Sequence, residues 1–217
     1  MLLGRHEITG TLGRGGSGVV YRARSPEGRD LAIKVLIGRS NEARARFERE
    51  KRILASLGEG FVPLLETGEA REGPFIVMPL LTGGTLRTKL ERGPLPPDEV
   101  RALGLRLAEA LGRAHAAGIV HRDVKPENVL FTEGGEPLIA DLGLAKHFER
   151  SAATASVSLS YEGELRGTAG YMAPEQATNA KEADPRADVF ALCAVLYEAL
   201  TGEPAFKASS LIELLGL

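Results

Sequence analysis

The chain of 217 residues has one cysteine, so no intrachain disulfide can form and a reducing compartment fits. That residue, Cys193, sits in the apolar run VFALCAVLYEAL and reads as a buried small hydrophobe, with a free reactive thiol as the sharper alternative. No run approaches the roughly 18 consecutive apolar residues of a membrane-spanning helix, and the opening MLLGRHEI is too short and polar for a signal peptide. Neither sign of charge is in large excess. The net charge of −2 gives no global attraction to nucleic acid or to an acidic membrane. Internal repeats are absent, and so is any G-K-[ST] phosphate loop, which excludes the P-loop class. His115, near a helix end, and His147, in a polar loop, lack the spacing of ligands for a structural metal. What is left is a cytoplasmic globular chain, 43% hydrophobic and 26% charged, long enough for one large domain or two lobes.

The first eighty residues read as strands and the remainder as helices, an α+β pattern with lobes about 1–80 and 85–217 joined near 79–84. EITGTLGRGG, SGVVYRAR, DLAIKVL and PFIVMPLL are β-branched or alternating runs broken by turn signals, and TGGTL ends the last. NEARARFEREKRILASL reads as a helix capped by Asn41 and closed near Gly58. At about 100° per residue, Phe47, Glu50, Leu54 and Leu57 fall on one stripe, so Glu50 faces inward and needs a partner. PDEVRALGLRLAEALGRAHAAG begins with proline and acids, carries the stripe Val100, Leu103, Leu107 and Leu111, and ends at glycine. GIV and VLF read as short strands flanking HRDVKPEN, and EPLIADLG supplies another. Residues 150–170 are hydroxyl-rich and aperiodic, an exposed loop. DVFALCAVLYEALTG is apolar nearly all round, the pattern of a helix buried on every side.

Several short stretches carry chemistry. In LGRGGSGVVY the glycines Gly13, Gly15 and Gly18 precede an alternating run, so they lie at a strand-to-strand turn rather than at the start of a nucleotide-binding helix. Such a turn permits close backbone approach and leaves amides free for phosphate oxygens; a plain hairpin is the bland alternative. Lys34 shares a strand face with Ala32 and Leu36 and is a partner for the inward Glu50, unless it is simply an exposed strand lysine. In HRDVKPENVLF, Asp123 can accept a hydroxyl proton and Lys125 can neutralise a phosphate in transfer. Asn128 offers an oxygen to a hard cation, as does Asp141 in IADLG. A lone aspartate at a strand end is usually a turn former, but here four such features follow one another in a single order.

In that combination the chain resembles a eukaryotic-type Ser/Thr protein kinase of the kind also found in bacteria, from about Glu7 to Thr201. The resemblance implies a bilobal fold, an antiparallel sheet with one key helix followed by a mainly helical lobe. It implies that the turn from Leu12 through Gly13, Arg14, Gly15, Gly16, Ser17 and Gly18 covers the phosphates of ATP. Lys34, oriented by Glu50, would hold the α- and β-phosphates, and Val20, Ala32 and Leu130 would enclose the adenine. Met78 takes the gatekeeper position, with the Pro79 carbonyl and Leu81 amide at the adenine edge. Asp123 would be the base, Lys125 would steady the γ-phosphate, and Asn128 and Asp141 would hold Mg²⁺, with Mn²⁺ as a substitute. Ala173-Pro174-Glu175 matches the end of the activation segment, and Asp188 the aspartate that anchors the catalytic loop. The implied partners are proteins with Ser or Thr hydroxyls, and a second copy during autophosphorylation. Arg122 beside Asp123 would read a phosphate on Thr154, Ser156, Ser158 or Ser160, while Thr168 would contact Asp123 and Lys125.

The pattern departs in places. Leu142 replaces the commoner phenylalanine after Asp141, Pro79 stands where an acid is frequent, and Cys193 where glycine is usual; none removes a catalytic group. After TGEPAF the chain runs KASSLIELLGL and stops, where the family continues through further helices. A truncated domain is therefore expected, with Glu175 lacking an arginine partner and the apolar helix under-covered. Two other readings stay open: a nucleotide-binding scaffold without catalysis, and a small-molecule kinase of related fold.

Overall fold

The strand-rich beginning owes its sheet to one segment that is apolar on both sides, Asp30–Leu36. The computed structural model describes residues 1–15, 18–36, 47–48, 51–53, 55–70, 73–141, 170–178 and 184–206. In it, β1 (Leu2–Leu3), β2 (His6–Gly15), β3 (Gly18–Arg24), β4 (Asp30–Leu36), β5 (Glu66–Ala70) and β6 (Gly73–Pro79) form one antiparallel sheet in the order β1-β2-β3-β4-β6-β5. Because strand side chains alternate, Leu31, Ile33 and Val35 point to one face. There they pack with Leu3, Ala23, Phe75 and Val77 as an apolar core. Ala32, Lys34 and Leu36 take the other face, where Leu36 meets Ile76 and Phe47. Arg5 and His6 both reach Glu66, at 2.9 and 3.3 Å, so the sheet curls until the start of β2 approaches β5. β1 and β5 are absent from the sequence reading because LL is too short and ETGEA too polar to carry a strand signal. Residues 47–48, 51–53 and 55–56 are helical, within the expected helix; its Asn41 cap, Glu50 and Leu54 lie outside the described residues.

The second part contains α1 (Leu86–Leu90), α2 (Pro97–Ala116), a 3-10 turn (Pro126–Asn128), the hairpin β7 (Val129–Phe131) and β8 (Pro137–Ile139), α3 (Pro174–Thr178) and α4 (Pro185–Thr201). The chain divides into two compact units, Met1–Gly58 with Val62–Leu81, and Glu59–Phe61 with Thr82–Leu217. α2 forms as its caps and stripe dictate: Val100, Leu103, Leu107 and Leu111 are all buried. α1 was not expected; Thr85 caps it, its hydroxyl taking the Thr88 amide while Thr88 returns the bond to the Thr85 amide. That local exchange has no apolar period to betray it. Among the described residues no helix is long and apolar enough to cross a membrane.

Three expectations need correction. GIV is not a strand: Gly118 adopts φ +73° and Ile119 donates its amide to Ala114 O at 2.9 Å, so these residues close α2 instead. α4 is not buried all round. Ala187, Asp188, Ala191, Ala194, Val195 and Glu198 face inward, while Val189, Cys193, Tyr197 and Leu200 are exposed. Cys193 is therefore a surface thiol and not a core residue; an all-apolar sequence shows no period from which to tell the buried side. Glu175 is not left alone either, since its charge helps Arg186 hold its proton, behind the larger contribution of Asp184. Residues 142–169 and 207–217 lie outside the described residues. With them go Leu142, His147, Thr154, Ser156, Ser158, Ser160 and Thr168.

Candidate active site

In the first unit, strand register collects the expected nucleotide residues on one face. Directly opposed residues of an antiparallel pair project to the same side. Val20 opposes Lys34, Lys34 opposes Ile76, and Ala32 opposes Met78. Val20, Ala32, Lys34 and Met78 thus share the face turned away from the main apolar cluster. Lys34 is 5% exposed, which rules out the exposed-lysine reading. Its expected pairing with Glu50 lies outside the described residues. Pro79 ends β6 opposite Leu31, and Leu81 follows, half-buried.

The glycine turn joins β2 to β3, with Gly13 opposite Val20 and Gly15 opposite Gly18. Gly18 has φ +148°, and a Cβ there would stand 2.1 Å from Val35 O, so β4 itself demands glycine. At Gly13 a Cβ would meet nothing within 4 Å; packing does not require glycine there. Leu12 and Arg14 are exposed. Gly16 and Ser17 lie outside the described residues.

In the second unit, the loop after α2 brings the charged groups together. Asp123 and Asn128 are buried. The Asn128 amide nitrogen donates to Asp123 O at 2.7 Å and to Asp123 Oδ2 at 2.9 Å, and Lys125 Nζ lies 3.2 Å from the same carboxylate oxygen. The 3-10 turn is closed by Asn128 N–H on Lys125 O. The β7–β8 hairpin explains the second carboxylate. Val129 pairs with Ile139, and Ala140 N–H donates to Asn128 O at 2.8 Å, so Asp141 stands one residue beyond the partner of Asn128. Among the described residues, Arg122 and Asp141 are the non-glycine residues with positive φ, 65° and 54°. Strained backbone of this kind costs about 1–3 kcal/mol per residue and clusters at functional sites. Leu130, half-buried, lies on β7 and bridges to Thr85.

The loop is held from beneath by α4. Asp188, fully buried, accepts the His121 and Arg122 amides at 2.8 and 2.7 Å, and His115 Nε2 lies 2.8 Å from its Oδ2. His121 is buried with its ring between the Asp123 amide and Ala140 O. Burial, opposed by the nearby Asp188 and Asp123 charges, lowers its pKa.

The protein kinase domain family matches residues 6–214 of the chain. The chain belongs to that family. It is 38% identical over 99% of its length to the serine/threonine-protein kinase PknL of Mycobacterium tuberculosis, and covers 53% of that protein. It is 42% identical over 97% of its length to the DNA damage-responsive serine/threonine-protein kinase RqkA of Deinococcus radiodurans, covering 32% of it. A probable serine/threonine-protein kinase of Thermomonospora curvata, PkwA, shares 36% over 98% of the chain. The chain therefore spans about half or less of the length of these curated relatives.

Several residues of this kinase domain escape the sequence reading. Gln176 donates from its amide to Arg122 O at 3.1 Å and accepts from the Ala173 amide at 3.3 Å, tying the start of α3 to the loop. Glu198, 3% exposed on α4, accepts from Arg87 Nη1 at 2.6 Å and from the Tyr171 hydroxyl. Burial and the Glu198 hydrogen bond push the Tyr171 phenol up. Burial works against the charge of Arg87, but its bonds to Glu198 and Glu127 outweigh that and raise its pKa. One signal was available: Glu198 is an acid inside an apolar helical run, the same oddity that singles out Glu50.

Proposed function

We propose that the chain transfers the γ-phosphoryl of Mg·ATP to serine or threonine hydroxyls of proteins. The observation that carries this reading is the loop triad: one buried carboxylate, Asp123, whose Oδ2 is shared by Lys125 and Asn128. The residue is fixed in place by its own backbone amide, which donates to His121 Nδ1 at 3.2 Å. Asp123 accepts the proton of the acceptor hydroxyl. As that oxygen bonds to the γ-phosphorus, the bond to the β-phosphate oxygen breaks and ADP leaves with the electron pair. Lys125, beside the carboxylate, supplies positive charge where the phosphoryl oxygens gather negative charge.

The donor set fits a hard divalent ion. The described side-chain bonds of Asn128 are made by Nδ2, which leaves Oδ1 for a metal, and Asp141 is an exposed carboxylate residue next along the hairpin. Two oxygen ligands that leave further positions for phosphate and water suit Mg²⁺. A bound Mg²⁺ would neutralise phosphate charge. In the first unit Lys34 holds the α- and β-phosphates with Glu50 as its orienting partner, and Val20, Ala32 and Met78 take the base, together with Leu130. The Pro79 carbonyl and Leu81 amide serve the adenine edge. The open space at Gly13 supports the turn of residues 12–18 as a phosphate cover. Arg122 reads a phosphate on the 154–160 segment.

Transfer from labelled ATP to a generic basic protein tests the reading. Asp123→Asn keeps the shape and removes the base; the expected loss is roughly 10²-fold or more. Equal rates for the two proteins would sink the enzyme and leave a nucleotide-binding scaffold.

A further inference from the structure

A buried carboxylate must find a partner or lose its charge. Glu198 finds two, the Arg87 guanidinium and the Tyr171 hydroxyl, and Arg87 Nη2 also donates to that hydroxyl at 2.7 Å. So far this is a burial problem solved. Arg87 does one thing more. Its Nε donates to Glu127 Oε1 at 2.7 Å, and Glu127, 42% exposed, has no burial problem to solve. Water would serve Glu127 as well, and an exposed pair of this kind contributes only about 0–1 kcal/mol to stability. What the contact fixes is position.

The position matters because of where Glu127 sits. It is the middle residue of the Pro126–Asn128 turn. The next residue, Asn128, puts its amide nitrogen on the Asp123 carbonyl and carboxylate. A continuous chain of bonds therefore runs from α4 through Glu198, Arg87 and Glu127 to the turn that aims Asn128 and Asp123. Only an arginine can make it: its planar fork engages two carboxylates and a phenol at once, where a lysine ammonium would serve Glu198 alone. The second arm, Tyr171, leads through Ala173 to Gln176 and so to Arg122 O, gripping the same loop from its other end.

We infer that Arg87 is a positioning residue for phosphoryl transfer, holding the 121–128 loop in register with α4 through Glu127. The inference rests on the kinase reading above for its catalytic consequence, though not for its structural one. Two variants separate the parts. Glu127→Gln loosens the tether and leaves the Arg87–Glu198–Tyr171 set whole. Arg87→Lys keeps the buried charge paired and abolishes the fork. In Glu127→Gln, backbone amides of residues 121–131 should exchange several-fold faster while those of Pro97–Ala116 stay as in the wild type. The rate constant kcat should fall roughly tenfold, since small misplacements of reacting groups cost up to about 10²-fold, with KM for ATP within about twofold. The Mg²⁺ concentration for half-maximal rate should rise. Arg87→Lys should show the same pattern more strongly. Wild-type exchange and wild-type kcat in Glu127→Gln would overturn the inference. So would a lowered melting midpoint in Arg87→Lys with kcat per folded molecule unchanged, the mark of a merely structural clamp. Should the wild type transfer no phosphate at all, the kinase reading falls by itself, and the exchange comparison still decides whether Arg87 holds the loop.

Discussion

At the scale of single residues, His121 shows how a buried group fixes its own protonation. Ala140 O can only accept, so Nε2 carries a proton; the Asp123 amide can only donate, so Nδ1 is bare. Both bonds exist only for the neutral ring. Burial lowers its pKa from the ordinary 6.5, against the pull of Asp188 and Asp123. The unfolded chain then binds the proton more readily, so stability is present above about pH 6.5 and is lost as the pH falls below it, by up to about 1.4 kcal/mol per pH unit. Urea midpoints of wild type and His121→Gln between about pH 7.5 and 5.5 check this, because His6 and His115 are common to both proteins and cancel. The wild-type advantage should shrink on acidification; a constant or growing advantage would refute the neutral ring. Local chemistry of this kind is legible in sequence when the partners are close in the chain: Asp123, Lys125 and Asn128 lie within six residues and were readable together. Arg87 and Glu198 are 111 residues apart. Nothing in either neighbourhood names the other.

At the scale of elements, the glycine turn separates two reasons for having no side chain. Gly18 is held against β4, with its φ in the left-handed region and Val35 O where a Cβ would go. Gly13 faces open space. Gly18→Ala should therefore destabilise by at least about 1–3 kcal/mol, and Gly13→Ala should stay within about 0.5 kcal/mol, both by denaturant unfolding. If Gly13 covers phosphates, its variant should nevertheless weaken nucleotide binding, so the two substitutions would split stability from affinity. Equal costs for both would mean that the contact with Val35 does not govern the turn. The same contrast explains which elements sequence could deliver. β4, α2 and β7 carry their signal internally, as continuous or periodic apolar residues. β5 and α1 draw theirs from neighbours and caps, and GIV, read as a strand, spends Ile119 on closing α2. In α4 the pattern is uniform and silent on orientation. Its two buried carboxylates, Asp188 and Glu198, reveal the inner side instead: one holds the backbone of the loop and the other holds Arg87.

At the scale of the whole molecule, the chain is two compact units, and the proposed reaction draws on both. Lys34 and the glycine turn belong to one, and Asp123, Asn128 and Asp141 to the other. A ligand that binds only the folded form adds RT ln(1 + [L]/Kd) to stability, about 2.7 kcal/mol at a hundredfold excess over Kd. For a cooperative unit of 150–250 residues that corresponds to a rise in Tm of roughly 5–10 °C. Mg·ATP should produce such a rise in the wild type. If, as proposed, its phosphates call on Lys34 and its metal on Asp141, then Lys34→Met and Asp141→Asn should each abolish most of it, although the substitutions lie in different units. ATP with the divalent ion chelated should leave the wild type and Asp141→Asn nearly alike, since the contribution of Asp141 is then lost in every protein, while Lys34→Met stays below both. A full shift that survives Lys34→Met and disappears only with Asp141→Asn would show that the second unit binds nucleotide by itself. In that case the first unit's ordered face of Val20, Ala32, Lys34 and Met78 would need another ligand to explain it.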